Sequence, residues 1–204
     1  MSTKRGSLTE ILDFLKFTHL FQSVQRVIYI PGIERDENDA EHSFQLALMA
    51  WYIIQLKNLP LDISKIIQYA LVHDLVEAYA GDTFFYTSDI KLKNSKEERE
   101  KDAAEKIKQN FPAFTDLHTL IKLYEERHDK ESKFVYALDK VLPVMNIYVD
   151  GGRTWRRDGV TYEMIRTKDS KVAQSKEVEI IWKELLPLLE KDVEKLFPHE
   201  TKNP

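Results

Sequence analysis

Tyr69-Ala70-Leu71-Val72-His73-Asp74-Leu75-Val76-Glu77-Ala78-Tyr79-Ala80-Gly81-Asp82 places two ionisable side chains, His73 and Asp74, in the middle of an apolar run. Ile66 and Ile67 extend that run upstream. Its length and composition read as a helix buried in a core. A buried polar group without a partner is costly, and buried charges are usually paired or bound to metal. The remaining sequence should therefore supply partners for His73 and Asp74.

Composition narrows where those partners come from. The chain has 204 residues, 43% apolar and 31% charged, with a formal net charge of -4. That is enough for one sizeable core. A mildly acidic balance argues against sequence-independent nucleic-acid binding, which needs a basic face. There is no cysteine, so disulfides, thiolate metal sites and a cysteine nucleophile are excluded. Any metal must be held by imidazole and carboxylate. The N-terminal residues lack the apolar stretch of a signal peptide, and no apolar run approaches the ~20 residues that span a membrane. A cytosolic protein with no membrane partner is the expectation.

Working outward, Asp62 is placed to cap the helix that holds the opening stretch, and Gly81 suits its C′ position in a left-handed conformation. Asp82 then lies just past the helix end. Upstream, Ser7 and Glu10 form a capping-box pattern that starts a first helix running to about Gln25. Arg26–Ile30 reads as extended and Pro31-Gly32 as a turn. Asn38, with Glu41 three residues on, caps a nearly all-apolar helix carrying His42 in its first turn, stopped by Asn58-Leu59-Pro60.

Downstream, a loop with Phe84, Phe85, Tyr86 and Asp89 leads to a charged, solvated helix over Asn94–Glu105, with a second capping box at Ser95 and Glu98. Pro112 separates it from a helix near Leu117–Glu126. Lys133–Asp150 is a further apolar element with Asp139 inside it. Pro143, four residues later, removes the N–H that would reach the Asp139 carbonyl and predicts a kink. Gly151-Gly152 ends that element, Arg153–Gly159 reads as a basic loop, and Thr161–Phe197 as one short and one long amphipathic helix. Strand signals are almost absent, and there is no repeat or clear boundary. The expected fold is all-α, a helical bundle in a single domain over residues 1–204.

Three apolar helices thus carry ionisable residues where burial disfavours them: His42, the pair His73-Asp74, and Asp139. Two imidazoles and two carboxylates suit a divalent cation such as Mn, Fe, Co, Zn or Mg, with water in open positions. The order His … His-Asp … Asp resembles the HD phosphohydrolase superfamily. Ala40-Glu41-His42-Ser43, His73 through Ala78, Gly81-Asp82 and Leu138-Asp139-Lys140 are similar to its 5′-deoxynucleotidase branch.

The resemblance implies an HD-domain bundle in which His42, His73, Asp74 and Asp139 hold one divalent cation. It also implies removal of the 5′-phosphate from nucleoside monophosphates, and a homodimer, with which exposed apolar residues on the C-terminal helix are compatible. Glu77, on the helix face of His73 and Asp74, is placed to handle a proton. Arg26 matches a family arginine and would hold phosphate oxygens. Asp82 matches a position beside the sugar and leaving group, with a catalytic or substrate-binding role by analogy. The chain departs from the branch at Val27, where a Trp that crowds the sugar 2′ position is typical. Selectivity for deoxyribose therefore does not carry over with the resemblance.

Each residue also has a plainer reading. His42 can bond a loop, His73-Asp74 can be a structural pair, Asp139 can pair with Lys140, and Arg26 can be an ordinary ion-pair partner. Glu77 can be solvated, Asp82 can be a cap, and His19, His118, His128 and His199 read as structural or exposed. One cation satisfies four of these groups at once, whereas the plainer readings need a separate partner for each. Two other functions stay open on the sequence. One is a deoxynucleoside triphosphate triphosphohydrolase, with Lys91, Lys93 or Arg153 supplying extra cationic contacts. The other is a non-catalytic nucleotide-sensing or interaction protein.

Overall fold

The computed structural model describes residues 6–198, and His199 lies outside them. Among the described residues the chain is helical apart from one two-stranded sheet, formed by β1 (Gln25–Tyr29) and β2 (Asp36–Asn38). The all-α expectation holds, and the extended reading of Arg26–Ile30 corresponds to β1. No described helix is long and apolar enough to cross a membrane. Its internal contacts divide the chain into two compact units, one running to Arg26 and continuing as Asn38–His128, the other comprising Val27–Glu37 and the chain from Asp129 on.

The first unit holds α1 (Leu8–Gln22), α2 (Asp39–Lys57), α3 (Ile63–Val72), α4 (Glu77–Ala80), α5 (Ile90–Asn94), α6 (Lys96–Asn110) and α7 (Thr115–Glu126). Both upstream capping boxes form as read. Ser7 and Glu10 cap α1, and Asn38 and Glu41 cap α2, with each side chain bonded to the other's backbone N–H. Such reciprocal bonds satisfy N–H groups that the helix itself leaves open. Asp62 accepts from the Lys65 N–H and starts α3. One core cluster joins Phe17 and Phe21 of α1, Val72, Leu75, Val76 and Ala78, Ala103 and Ile107 of α6, and Leu117 and Ile121 of α7. The opening stretch is therefore packed from several sides, as its apolar character required.

Three expectations change here. The helix through the opening stretch is not continuous: α3 ends at Val72 and α4 begins at Glu77. Between them the chain tightens into three-residue turns, with Leu75 N–H donating to Val72 O at 3.1 Å and Glu77 N–H to Asp74 O at 2.8 Å. Gly81 has φ 74° and ψ 149°, a positive-φ conformation outside the left-handed helical region. Ser95 does not form the expected capping box. Its φ and ψ are helical and its side chain caps nothing; Ser95 Oγ instead donates to Leu92 O and accepts from Arg99 Nε.

The second unit is organised on α8 (Lys130–Val149), against which α11 (Asp169–Val172), α12 (Lys176–Lys191) and α9 (Arg153–Asp158) pack; α10 (Tyr162–Arg166) and α13 (Val193–Leu196) complete it. Pro143 lies inside α8. Its core includes Phe134, Leu138, Leu142, Trp155, Ile165, Trp182 and Leu189. Trp155 stacks on Phe197 with ring centroids 4.5 Å apart.

The basic loop expected over Arg153–Gly159 is mostly the helix α9, because its arginines are locked by partners within the unit. Arg153 pairs with Glu34 at 2.7 Å and Asp150 at 2.8 Å, and Arg157 with Asp36 at 2.7 Å and Asp158 at 2.9 Å. Arg156 Nη1 donates to the carbonyls of Gly151 and Lys195. Thr161–Phe197 carries three short helices around one long one, not one short and one long.

Candidate metal and phosphate site

The capping box at Asn38 fixes the start of α2 and, through it, two buried residues. Asp39 opens the helix and His42 follows one turn later, both fully buried. The end of α3 delivers His73, 4% exposed, whose ring centroid lies 5.3 Å from that of His42. One ligand atom from each of His42, His73 and Asp74 falls within 4.8 Å of the others. The structure thus brings together three of the four residues read as metal ligands within the first unit. Asp139, the fourth, is a buried residue of α8 in the second unit, ion-paired with Lys140.

The tautomer of His73 bears on what this cluster can hold. Its Nδ1 lies 2.9 Å from the Ala70 carbonyl oxygen. A carbonyl only accepts, so Nδ1 carries the hydrogen. In the neutral ring the lone pair is then on Nε2, which faces Asp74 Oδ2 at 2.9 Å. Two acceptors at that separation repel unless a cation joins them or the ring takes a second proton. A ligating imidazole that donates its other N–H to a backbone carbonyl is the usual orienting arrangement at metal sites. The nitrogen and oxygen donors present fit a divalent cation of the Mn, Fe, Co or Zn type.

Glu77 lies three residues after Asp74, across the tightened turn. In such a turn residues i and i+3 eclipse one another. The two carboxylates accordingly share one face, with ligand atoms of Asp39, Asp74 and Glu77 within 4.8 Å of one another. Glu77 is 2% exposed. Burial, then the charges of Asp74 and Asp82, hold its carboxyl well above the ordinary range, against the opposing charge of Lys96. Burial and Asp74 push Asp39 up to about 7, with Arg26 opposing. Asp82 is half-buried just past α4. Its carboxyl is raised by burial and Asp74, while Arg26, Lys96 and the Thr83 N–H pull the other way.

Arg26 Nη1 donates to Asp74 Oδ2 at 2.8 Å and to Asp39 Oδ1 at 3.1 Å. The candidate phosphate-binding arginine therefore sits at the metal cluster, held by two carboxylates. The geometry contains the ion pair of the plainer reading, and it sets the guanidinium beside the proposed ligands.

Three contributors escaped the sequence reading. Asp39 looked like one more polar residue ahead of a helix. Lys96 and Arg99 looked like part of a solvated charge run. Lys96 Nζ reaches Glu77 Oε1 at 3.2 Å and Glu100 Oε1 at 3.0 Å. Arg99 donates to the Ala80 carbonyl and, at 2.6 Å, to Thr83 Oγ1, so it clamps the segment that carries Asp82. Glu77, Ala80 and Thr83 lie 16 to 19 residues away in sequence from the Lys96 and Arg99 that reach them, and no local pattern announces these contacts.

The chain is similar to several known proteins. Human 5′-deoxynucleotidase HDDC2 is 31% identical over 133 residues, which is 64% of this chain and 63% of the relative. The Xenopus laevis protein of the same name is 32% identical over 133 residues, 64% of each. The matched part thus spans less than two thirds of these relatives' length. The crystal structure of a predicted metal-dependent phosphohydrolase from Magnetospirillum magnetotacticum MS-1 superposes with a TM-score of 0.76 at 27% identity, over 93% of this chain and 96% of that one. The HD domain family model matches residues 20–182, a span that takes in His42, His73, Asp74 and Asp139. The chain belongs to the HD domain family.

Proposed function

We propose that this protein is a metal-dependent phosphohydrolase that removes the 5′-phosphate from ribo- or deoxyribonucleoside monophosphates. The observation that carries the reading is the convergence of His42, His73 and Asp74 beside Arg26 and the buried Glu77. Asp139 is proposed as the fourth ligand of a single divalent cation, on its burial and on its place in the family motif. The relatives named 5′-deoxynucleotidase support the substrate class.

The chemistry that a divalent cation supplies when bound is Lewis acidity, which eases deprotonation of water near neutral pH. The chain's own groups do the rest. Arg26 binds phosphate oxygens with its fork of donors. Glu77 Oε2 takes or returns a proton at the attacking water or the leaving 5′-oxygen, while Lys96 holds Oε1. Asp82, clamped by Arg99 through its neighbours, orients water or the sugar. His73, oriented by Ala70 O, keeps Nε2 directed into the cluster.

A triphosphohydrolase would need further cations for the longer phosphate chain. Arg153, one of those considered, has its donors committed to Glu34, Asp150 and backbone carbonyls. The monophosphate reading is therefore preferred. The homodimer is part of the same proposal. Besides Ile180 and Leu188 on α12, a larger apolar stripe is exposed on α2, comprising Phe44, Leu48, Trp51, Tyr52 and Leu56. Sedimentation equilibrium checks it.

The test of the activity is a panel of ribo- and deoxyribonucleotides incubated with Mn, Co, Mg or Zn and assayed for inorganic phosphate. Phosphate from monophosphates is expected. Tripolyphosphate from triphosphates would transfer the protein to the other hydrolase class. Tight nucleotide binding with no product under any metal would make it a sensor.

A further inference from the structure

The aromatic run Phe84-Phe85-Tyr86 has no part in the machinery described so far. It lies in the loop that leaves α4, starting two residues beyond Asp82. The Thr87 N–H donates to Phe84 O at 3.0 Å, which folds the run into a tight turn with Phe85 and Tyr86 at its corner. One guanidinium pins the loop at both ends. Arg99 donates to the Ala80 carbonyl and to Thr83 Oγ1 where the loop begins, and to the Leu92 carbonyl at 3.3 Å where it closes. The turn is therefore held in place by the protein itself.

Its rings do not fill the core. The apolar cluster of the first unit, with the residues packed on it, takes in Tyr79 and Ala80 and resumes only at Ala103. Phe84, Phe85 and Tyr86 are each half-buried. Tyr86 meets Phe84 at a centroid distance of 5.7 Å and an angle of 74°, and Phe85 at 4.9 Å and 81°. An edge-to-face contact of this kind covers at most one face of one ring. Tyr86, in contact with both phenylalanines, braces them.

The chain that carries Asp82 to the carboxylates runs straight into this turn. Asp82 feels the charges of Arg26, Asp74 and Lys96, and Phe84 follows it within a chain reach of about 7 Å. A nucleoside monophosphate with its phosphate on Arg26 and its sugar at Asp82 has one group left to place, the base. Purines and pyrimidines are flat π-surfaces, and aromatic side chains stack on them. Resting on the monophosphate reading above, we propose that the Phe84–Tyr86 turn is the nucleobase platform of the site, with Phe84 and Phe85 stacking on the base and Tyr86 bracing them. Stacking reads the face of a base and not its hydrogen-bonding edge, so purine and pyrimidine monophosphates are both accepted.

The test compares kcat/KM for deoxyadenosine 5′-monophosphate with that for deoxyribose 5-phosphate, which carries phosphate and sugar but no base, both with Mn. Wild type should favour the nucleotide. Phe84→Ala and Phe85→Ala should lower the ratio by about 5- to 100-fold, the weight of a stacked base. The loss should fall on KM rather than kcat, because stacking holds substrate and transition state alike. Phe85→Tyr, which keeps a ring, should retain the wild-type ratio, with circular dichroism verifying each fold. A ratio that neither alanine variant lowers, including an equal loss on both substrates, overturns the inference. A wild-type ratio near one overturns it without any variant. Phosphate from neither compound refutes the monophosphate reading instead. Calorimetric titration with deoxyadenosine 5′-monophosphate then decides: binding that either alanine variant weakens keeps the platform, and binding that both leave unchanged, or none, discards it.

Discussion

Lys96 Nζ lies 3.2 Å from Glu77 Oε1, although the two residues belong to different helices and Lys96 opens a run of surface charge. The contact supplies the positive charge that offsets burial of the Glu77 carboxyl, where Asp74 and Asp82 both oppose ionisation. In return, Glu77 and Glu100 hold the Lys96 ammonium in its charged form despite the burial that opposes it. Removing Lys96 should therefore disable Glu77 without touching a ligand. Lys96→Met is expected to lower phosphate release from monophosphates by about 10- to 100-fold, within the contribution of a positioned acid–base group. Lys96→Arg should recover part of it. Steady-state kinetics on both variants, with circular dichroism to verify folding, check this; full activity in Lys96→Met would remove Lys96 from the machinery.

Metal and fold should be linked. A cation that binds the folded chain alone stabilises it by about 2.7 kcal/mol at a concentration one hundred times its Kd. For a chain of this size that is a rise in Tm of roughly 5–11 °C. Differential scanning fluorimetry of chelator-treated protein, with and without Mn, should show it. His73→Gln and Asp74→Asn should lose most of the shift, and Asp74→Asn should also abolish phosphate release.

Two glycines of the second unit offer a paired stability test. Gly152 and Gly159 flank α9 with φ of 80° and 65°. A Cβ at Gly152 would collide with the Leu196 carbonyl oxygen and stand 2.7 Å from its carbon, whereas one at Gly159 meets nothing within 4 Å. Gly159→Ala carries only the conformational cost of a left-handed residue, about 1–2 kcal/mol. Gly152→Ala must also displace the backbone of α13. Thermal melts should show a modest loss for the first. The second should show a much larger loss, or a protein that does not accumulate in folded form.

Asp169 predicts a pH dependence remote from the site. Burial acts to raise its carboxyl, but the Arg166 guanidinium and the Trp182 indole N–H, at 2.8 and 2.7 Å, outweigh it and hold it below the ordinary 3.8. The folded protein thus binds that proton less tightly than the unfolded chain. The stabilisation is fully present above about pH 4 and is lost as pH falls through the lowered value. The difference in Tm between wild type and Asp169→Asn should be constant from pH 7 to 5 and should shrink below pH 4. A gap that widens on acidification would contradict the assignment.

The pattern of His42, His73-Asp74 and Asp139 within apolar helices was enough to read an all-helical HD fold, because helical periodicity, capping boxes and misplaced charges are all local signals. Asn38 with Glu41 and Ser7 with Glu10 form their caps as read, since each motif is completed within four residues. The same local logic failed at Ser95, where Arg99 and Leu92 claim the hydroxyl, and at Arg153–Gly159, where acidic partners up to 121 residues away turn a basic loop into a helix. Likewise, sequence alone named His73, Asp74 and Glu77 but made them one continuous helix. Packing decided the tight turn after Val72 that sets Asp74 over Glu77. It alone brought Asp39, Lys96 and Arg99 to the site, because burial and long-range charge pairing are properties of the folded chain and have no period along the sequence.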